Sequence, residues 1–329
     1  MDERNEEREW VRRITTGRLS TKNNEQKNDP PRATEADPPS APAPRKEKLC
    51  FKDVAGMDEL KRLVTEGFIN VLHNQECANA FHITPPSLLL YGPAGCGKTF
   101  FAEVLANEVG VNFIKVVPDD IASKWVHGTQ EKIGEIFRKA ERESPTILFF
   151  DEFDAMVPKR TEGDKASQNG EVNEFLCMLN NASQRGIYVI AATNHPEVID
   201  KAVLRTGRID EMIYVDMPDK ATRESLFRIS LAQLPTDKNI DYGRLADLTD
   251  GYNCSDISYI VKVASRRMFN ASISDKGQPY KLITQCELEK VIAHKSPSLT
   301  SRDLSEYERV HREFAPKGET AERLTIGFM

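Results

Sequence analysis

Gly92-Pro93-Ala94-Gly95-Cys96-Gly97-Lys98-Thr99 limits what this chain can fold into more than any other stretch of it. The octet follows a short apolar run at 87–91 and leads into a helical stretch. A strand feeding a G-x-x-x-x-G-K-[ST] loop that opens a helix is a phosphate cradle. Its glycines let backbone N–H groups turn inward. The helix starting near Lys98 aims its positive end at the same anion. Lys98 adds a point charge for β and γ phosphates, and the Thr99 hydroxyl is suited to ligate Mg²⁺.

The rest of the chain agrees with an α/β domain around a mainly parallel sheet. Strands are expected at 87–91, 111–117, 146–151, 187–193 and 212–216. Between them, Ile133, Ile136, Phe137 and Ala140 recur at helical spacing, as do Val172, Phe175, Leu176 and Leu179. Beyond Pro218 only helical periods follow, which predicts a small all-helical lid over 219–314 after an α/β nucleotide-binding domain over 49–218. Residues 315–329 read as a flexible tail. From 20 to 48 alanines are the only apolar side chains and prolines cluster, so 1–48 reads as a charged head and disordered linker. Within that head, Trp10, Val11 and Ile14 share a helical face, either a frayed helix or a short docking element.

Further polar residues stand where strands end. Ile147-Leu148-Phe149-Phe150 runs into Asp151-Glu152. Asp151 is placed to hold Mg²⁺ through water, and Glu152 to orient and deprotonate an attacking water. Nearby Asp154 reads as a surface ion-pair residue. The run 187–193 ends at Asn194, which is either a helix cap before Pro196 or an amide bridging a γ-phosphate and water.

These elements resemble the Walker A, Walker B and sensor-1 motifs of the AAA+ ATPases, and more narrowly those of the AAA branch. Phe51-Lys52-Asp53-Val54-Ala55-Gly56 is similar to the segment that opens this module and flanks the adenine, with Asp53 and Ala55 as its contacts. Leu204-Arg205-Thr206-Gly207-Arg208-Ile209-Asp210 resembles the second region of homology, and Gly251-Tyr252-Asn253-Cys254-Ser255-Asp256-Ile257 the lid segment over the nucleotide. The resemblance covers about 49–314. It implies an ATP-hydrolysing ring, usually hexameric, with ATP between subunits and Arg208 as the finger reaching a neighbour's site; a surface salt bridge is the plainer role for that arginine. Departures accompany it. Glu211 stands where relatives carry a second arginine, Cys254 where they usually have glycine, and Ala94 and Cys96 where Pro and Thr are commoner.

Ser123-Lys124-Trp125-Val126-His127-Gly128 places an aromatic in a polar loop. The protein-threading members, katanin and spastin among them, carry Lys-Trp at a pore loop here, so Lys124, Trp125 and Val126 are expected to grip an extended peptide. A buried packing role for Trp125 is the alternative. The loop over 159–170 is expected to be a second pore loop or simply a solvated connection.

Two functions remain open: an ATP-driven remodeller of protein substrates, taken directly or through an adaptor, and a nucleic-acid motor or loader. The 51 Asp and Glu against 45 Lys and Arg, a formal charge of −6 with no basic stripe, favour the first. Glu152, Asn194 and Arg208 together disfavour a kinase. No apolar run has membrane-helix length, and the six scattered cysteines form no Cys-x-x-Cys pair, as expected of a cytoplasmic protein. The chain has no His-Glu-x-x-His, hence no FtsH-like peptidase. Its end at Gly327-Phe328-Met329 only loosely resembles a protease-docking tail, and a disordered end is the plainer reading.

Overall fold

The computed structural model of the protein describes residues 49–122, 128–159, 166–274 and 280–314, without the side chains of 166–169 and 171. Trp10, Val11 and Ile14, the Pro-rich stretch, Lys124, Trp125, Val126 and the tail therefore lie outside the described residues. Everything below concerns the compact unit Glu47–Met329.

All five expected strands are present: β1 (Leu88–Tyr91), β2 (Asn112–Val116), β3 (Thr146–Phe150), β4 (Ile187–Thr193) and β5 (Glu211–Tyr214). They form one parallel sheet in the order β2-β3-β4-β1-β5. Strands β1, β3 and β4 are buried at every position. Both their faces are covered by helices, and this is why they read as continuous apolar runs rather than alternating ones.

Helices α1 (Asp58–Val64) and α2 (Lys98–Val109) lie on one face. There Leu60, Val64, Phe101 and Leu105 pack on Leu88, Leu90, Ile147, Phe149 and Ile190. On the other face are α3 (Gly128–Arg142), the single turn α4 (Phe153–Met156) and α5 (Ala166–Leu179). Their Ile133, Phe137, Phe153 and Phe175 meet Leu89, Leu148, Phe150 and Val189. Odd and even strand residues thus serve separate cores, as the two-residue period of a strand dictates. Helix α5 starts inside the loop expected over 159–170. The helical period of Val172 and Phe175 extends upstream because no proline interrupts it, despite Gly170.

Past β5 come α6 (Lys220–Leu231), α7 (Tyr242–Leu248), α8 (Cys254–Ser274), α9 (Gln285–Ala293) and α10 (Ser301–Phe314). The starts of α6, α7 and α9 are capped by Asp219, Asp241 and Thr284, whose side-chain oxygens accept backbone N–H bonds. Phe227, Leu245, Ile257, Ile260, Leu288 and Val291 form a third core among α6 to α9. Helix α10 leaves that cluster. It returns to the sheet, where the His311 ring stacks on Tyr214 at 4.0 Å and its Nδ1 shares a hydrogen bond with the Tyr91 hydroxyl at 3.0 Å.

Candidate functional site

The strand order positions the site. Ligands of open α/β sheets bind outside the carboxyl ends of the strands. β4 lies between β1 and β3, so Asn194 emerges between the glycine loop that follows β1 and the Asp151-Glu152 pair that follows β3. Those three features lie well apart in the sequence and meet at one edge of the sheet.

Backbone shape explains the loop's glycines. Gly92 has φ +141°, and a Cβ there would lie 2.3 Å from the Val215 carbonyl oxygen. Gly95 has φ +76°, and a Cβ would strike the Asn253 amide at 2.6 Å. Neither conformation nor space admits a side chain. Gly97, at φ +94°, leads directly into α2.

Lys98 is almost fully buried, and its Nζ donates to the Gly92 and Pro93 carbonyls at 2.9 and 2.8 Å. The ammonium is thereby curled over the mouth of the loop, with Pro93 and Ala94 forming its rim. Burial brings its pKa down to about 8. Its protonated form is therefore fully populated only below that pH. A phosphate that pairs with this cation is expected to bind most tightly below pH 8, with affinity falling by up to about tenfold per unit above it. Titrating ADP affinity from pH 7 to 9.5 should show this break, and a flat profile would exclude Lys98 as the titrating group.

Cys96 is fully buried beneath the loop, with its Sγ 3.6 Å from the Met217 sulfur. Burial pushes its thiol up to about 12 and that of Cys254 up to about 11, so both stay protonated and inert at neutral pH.

The Thr99 hydroxyl donates to Asp151 Oδ2 at 3.1 Å, and Lys115 on β2 pairs with the same oxygen at 2.7 Å. A hydroxyl and a carboxylate side by side are the hard oxygen donors that Mg²⁺ takes, so these residues fit that ion. Glu152 follows in the left-handed region, φ 51° and ψ 47°, with its N–H donating to Asp151 Oδ1 at 3.1 Å. Such a backbone costs a non-glycine residue about 1–2 kcal/mol. Phe153, fully buried against Phe150 and Phe175, supplies about 1.5–3 kcal/mol in the next position and offsets that cost. The exposed Glu152 side chain is left facing solvent beyond the strand end.

Asn194 caps nothing. The short helix Pro196–Val198 has His195 at its N-cap position and no side-chain cap, and the Asn194 amide has no hydrogen-bond partner among the described residues. Asp154 departs from its expected surface role. It accepts the Thr193 hydroxyl at 2.6 Å, and the same hydroxyl oxygen accepts the His195 N–H at 2.8 Å. Thr193 is buried, and a buried hydroxyl needs partners that a two-residue sequence window does not reveal.

The loop is also held from the helical side. The Asn253 Nδ2 donates to the Ala94 carbonyl at 3.0 Å while its Oδ1 accepts the Asp256 N–H at the start of α8. The Ser255 N–H donates to Gly95 O at 3.1 Å, and Cys254 Sγ to Cys96 O at 3.6 Å. A cleft of 310 Å³ opens beside these contacts, lined by Met57, Tyr214, Val215, Met217, Thr222 and Cys254 among others. Asp53 and Ala55 do not line it: the Asp53 carboxylate accepts the Cys50 N–H at 2.8 Å, and Ala55 is buried. A larger groove of 510 Å³ along α3, walled by Lys132, Glu135, Arg138 and Arg142, contains none of the motif residues.

Arg208 stands at the other edge of the sheet. It precedes β5, whose first residue pairs with Leu88 at the start of β1. A whole strand, roughly 13 Å, separates it from the loop of its own chain. Its guanidinium donates to Ala202 O at 2.6 Å and Asn180 Oδ1 at 3.3 Å, which are hydrogen bonds and not an ion pair.

A family model described as ATPase family associated with various cellular activities (AAA) matches residues 88–217. "Cell division cycle protein 48 homolog" of Archaeoglobus fulgidus is 34% identical over 275 residues, 80% of this chain and 38% of the relative. "Protein SAV" of Sulfolobus acidocaldarius is 32% identical over 292 residues, 81% and 37% of the two chains. "Protein CdcH" of Halobacterium salinarum is 37% identical over 222 residues, 66% and 30%. The chain thus spans less than two-fifths of the length of these relatives. A glycine loop closed by Lys98 and Thr99, an acidic pair on the next strand but one, and relatives of this kind place the chain in the AAA branch of the AAA+ ATPases.

Proposed function

We propose that the protein is an ATP-driven motor that works as a ring, hexameric by family habit, and remodels protein substrates through a central pore. The position of Arg208 carries the ring. A guanidinium a strand away from its own phosphate loop serves no ATP on its own chain, yet it suits a neighbour's, where a fixed cation stabilises charge on the transferring phosphoryl group. Residues 49–218 act as the nucleotide-binding domain and 219–314 as the lid. The cleft beside Met57, Met217 and Cys254 takes the adenine.

Within one site the chain's own residues divide the work. The loop N–H groups and Lys98 hold the phosphates. Thr99 and Asp151 hold Mg²⁺, which supplies charge neutralisation on the phosphate oxygens when bound. Glu152 takes a proton from the water it orients, and Asn194 positions that water against the γ-phosphate.

Lys124-Trp125-Val126 supports a protein substrate, since a flat aromatic beside a cation grips peptide without reading its sequence. Trp125→Ala should leave basal ATP turnover within about twofold and abolish unfolding of a tagged fluorescent substrate. Unfolding that survives this change would return Trp125 to packing. Casein should raise ATP turnover and duplex DNA should not; stimulation by DNA alone would favour a nucleic-acid loader. The six cysteines are all unpaired, which suits a reducing compartment and supports a cytoplasmic protein; among the described residues no helix is long and apolar enough to cross a membrane.

A further inference from the structure

We propose that Asp154, acting through the Thr193 hydroxyl, is a positioning residue that sets Asn194 against Glu152 for ATP hydrolysis. The inference rests on the roles given above to Glu152 and Asn194.

Strands β3 and β4 pair in register as far as Phe150 and Ala191; beyond these residues β1 still holds β4 as far as Thr193, but no ladder pairing ties the β3 tip to the β4 tip. Glu152 lies two residues past the last pair on one strand, and Asn194 three residues past it on the other. Without a tie between the two tips, the water-activating carboxylate and the water-positioning amide would drift relative to each other. A misplacement of about 1 Å is enough to cost of order a hundredfold in rate.

One side-chain bridge spans the gap. The Thr193 Oγ1 donates to Asp154 Oδ1 at 2.6 Å, a short bond to a carboxylate and so among the stronger kinds. The same oxygen accepts the His195 N–H at 2.8 Å, which closes a tight turn with Asn194 at its middle. The hydroxyl therefore fixes the backbone on both sides of Asn194. On the other strand, Asp154 belongs to the single turn α4 that begins immediately after Glu152. That turn is anchored by the buried Phe153 and Met156 and closed by the Ala155 N–H donating to Glu152 O at 3.0 Å. Asp154 thus clips a turn already tied to Glu152 onto a turn already tied to Asn194. It makes no hydrogen bond to the phosphate-binding residues: Lys98 and Thr99 bond to Gly92, Pro93 and Asp151, and Asp154 acts on Lys98 through charge alone, which Thr193→Val leaves in place.

A clip of this kind governs kcat and leaves nucleotide binding alone. With the full chain, ATP turnover at saturating nucleotide, KM for ATP and ADP affinity are measured for Asp154→Ala, Thr193→Val, Asp154→Asn, Thr193→Ser and Asn194→Ala. Asp154→Ala and Thr193→Val are expected to lower kcat by about tenfold or more, with KM and ADP affinity within about twofold of the parent. Asp154→Asn keeps an Oδ1 acceptor and Thr193→Ser keeps the hydroxyl, so both should restore most of the rate. Thr193→Val preserves shape and guards against a folding failure in Asp154→Ala.

The proposal is overturned if Thr193→Val turns over ATP at the parental rate while Asn194→Ala is impaired. It is equally overturned if ADP affinity falls in step with kcat, since that marks a general structural role. Parental turnover by Asn194→Ala itself would instead remove the underlying reading of the site.

Discussion

Glu152→Gln should hold ATP and fail to turn it over, with hydrolysis slowed about 10²- to 10⁴-fold, the range that a positioned general base contributes. The substitution changes one oxygen to an amide nitrogen and little else. Backbone strain at φ 51° applies equally to either side chain, the Glu152 N–H keeps its bond to Asp151, and Phe153 stays packed. Lost is the ability to accept a proton from water. Affinity for ATP, read by displacement of a fluorescent analogue, should remain within about threefold of the parent. Rapid turnover in this variant would assign proton transfer to another group. Because the variant stalls with nucleotide bound, it should also retain whatever it was acting on, so proteins that co-purify with it identify the substrate class.

Lys98→Ala should do the reverse and remove binding. The ammonium sits in a nearly closed pocket, where its charge is little screened, and two carbonyls of the loop hold it in place. A charge-assisted bond to phosphate there contributes about 1.5–3 kcal/mol, and two such contacts make the loss about 10²- to 10⁴-fold in ATP affinity. Removing the side chain also leaves the Gly92 and Pro93 carbonyls without their donor, so the empty loop should loosen. Equilibrium binding of labelled ATP measures the effect directly. Affinity retained within tenfold would mean that the backbone N–H groups hold the phosphates without help. The two variants together separate binding from chemistry on one protein.

Much of this site was legible in the residues alone, and the reasons differ by element. The loop 92–99 is contiguous, and each of its residue types has a local geometric cause, so pattern and structure coincide. β1, β3 and β4 announce themselves because burial on both faces leaves no polar position in them. Asp154 was misread as a surface charge because its partner, Thr193, is 39 residues away and only the β3–β4 pairing brings them together. Asn253 was quoted within a motif without a role of its own; the signal was there, an amide three residues before Asp256 at a helix start, but its second bond crosses 159 residues to Ala94. Asp53 and Ala55 were drawn from resemblance and do not line the cleft, whereas Met57 and Thr222, which do, carry no motif signature. Sequence periodicity reports which face is buried. It does not report which distant side chain waits on the other side.

Helix α10 has a mechanical consequence. Helices α6 to α9 depart from the sheet after β5, and the chain then comes back, setting His311 on Tyr214 and against Tyr91, the residue immediately before Gly92. Phe314 adds a third ring beside Tyr91 at 6.1 Å. The helical segment is consequently moored at both of its ends, and again where the start of α8 bonds to the glycine loop, instead of swinging from one hinge like a door. Any tilt of it as nucleotide comes and goes has to be shared among the Pro218 end, the Tyr91 end and the bonds of Asn253 and Ser255 to the loop. A pull applied beyond Phe314 would arrive at the strand that carries the phosphate loop.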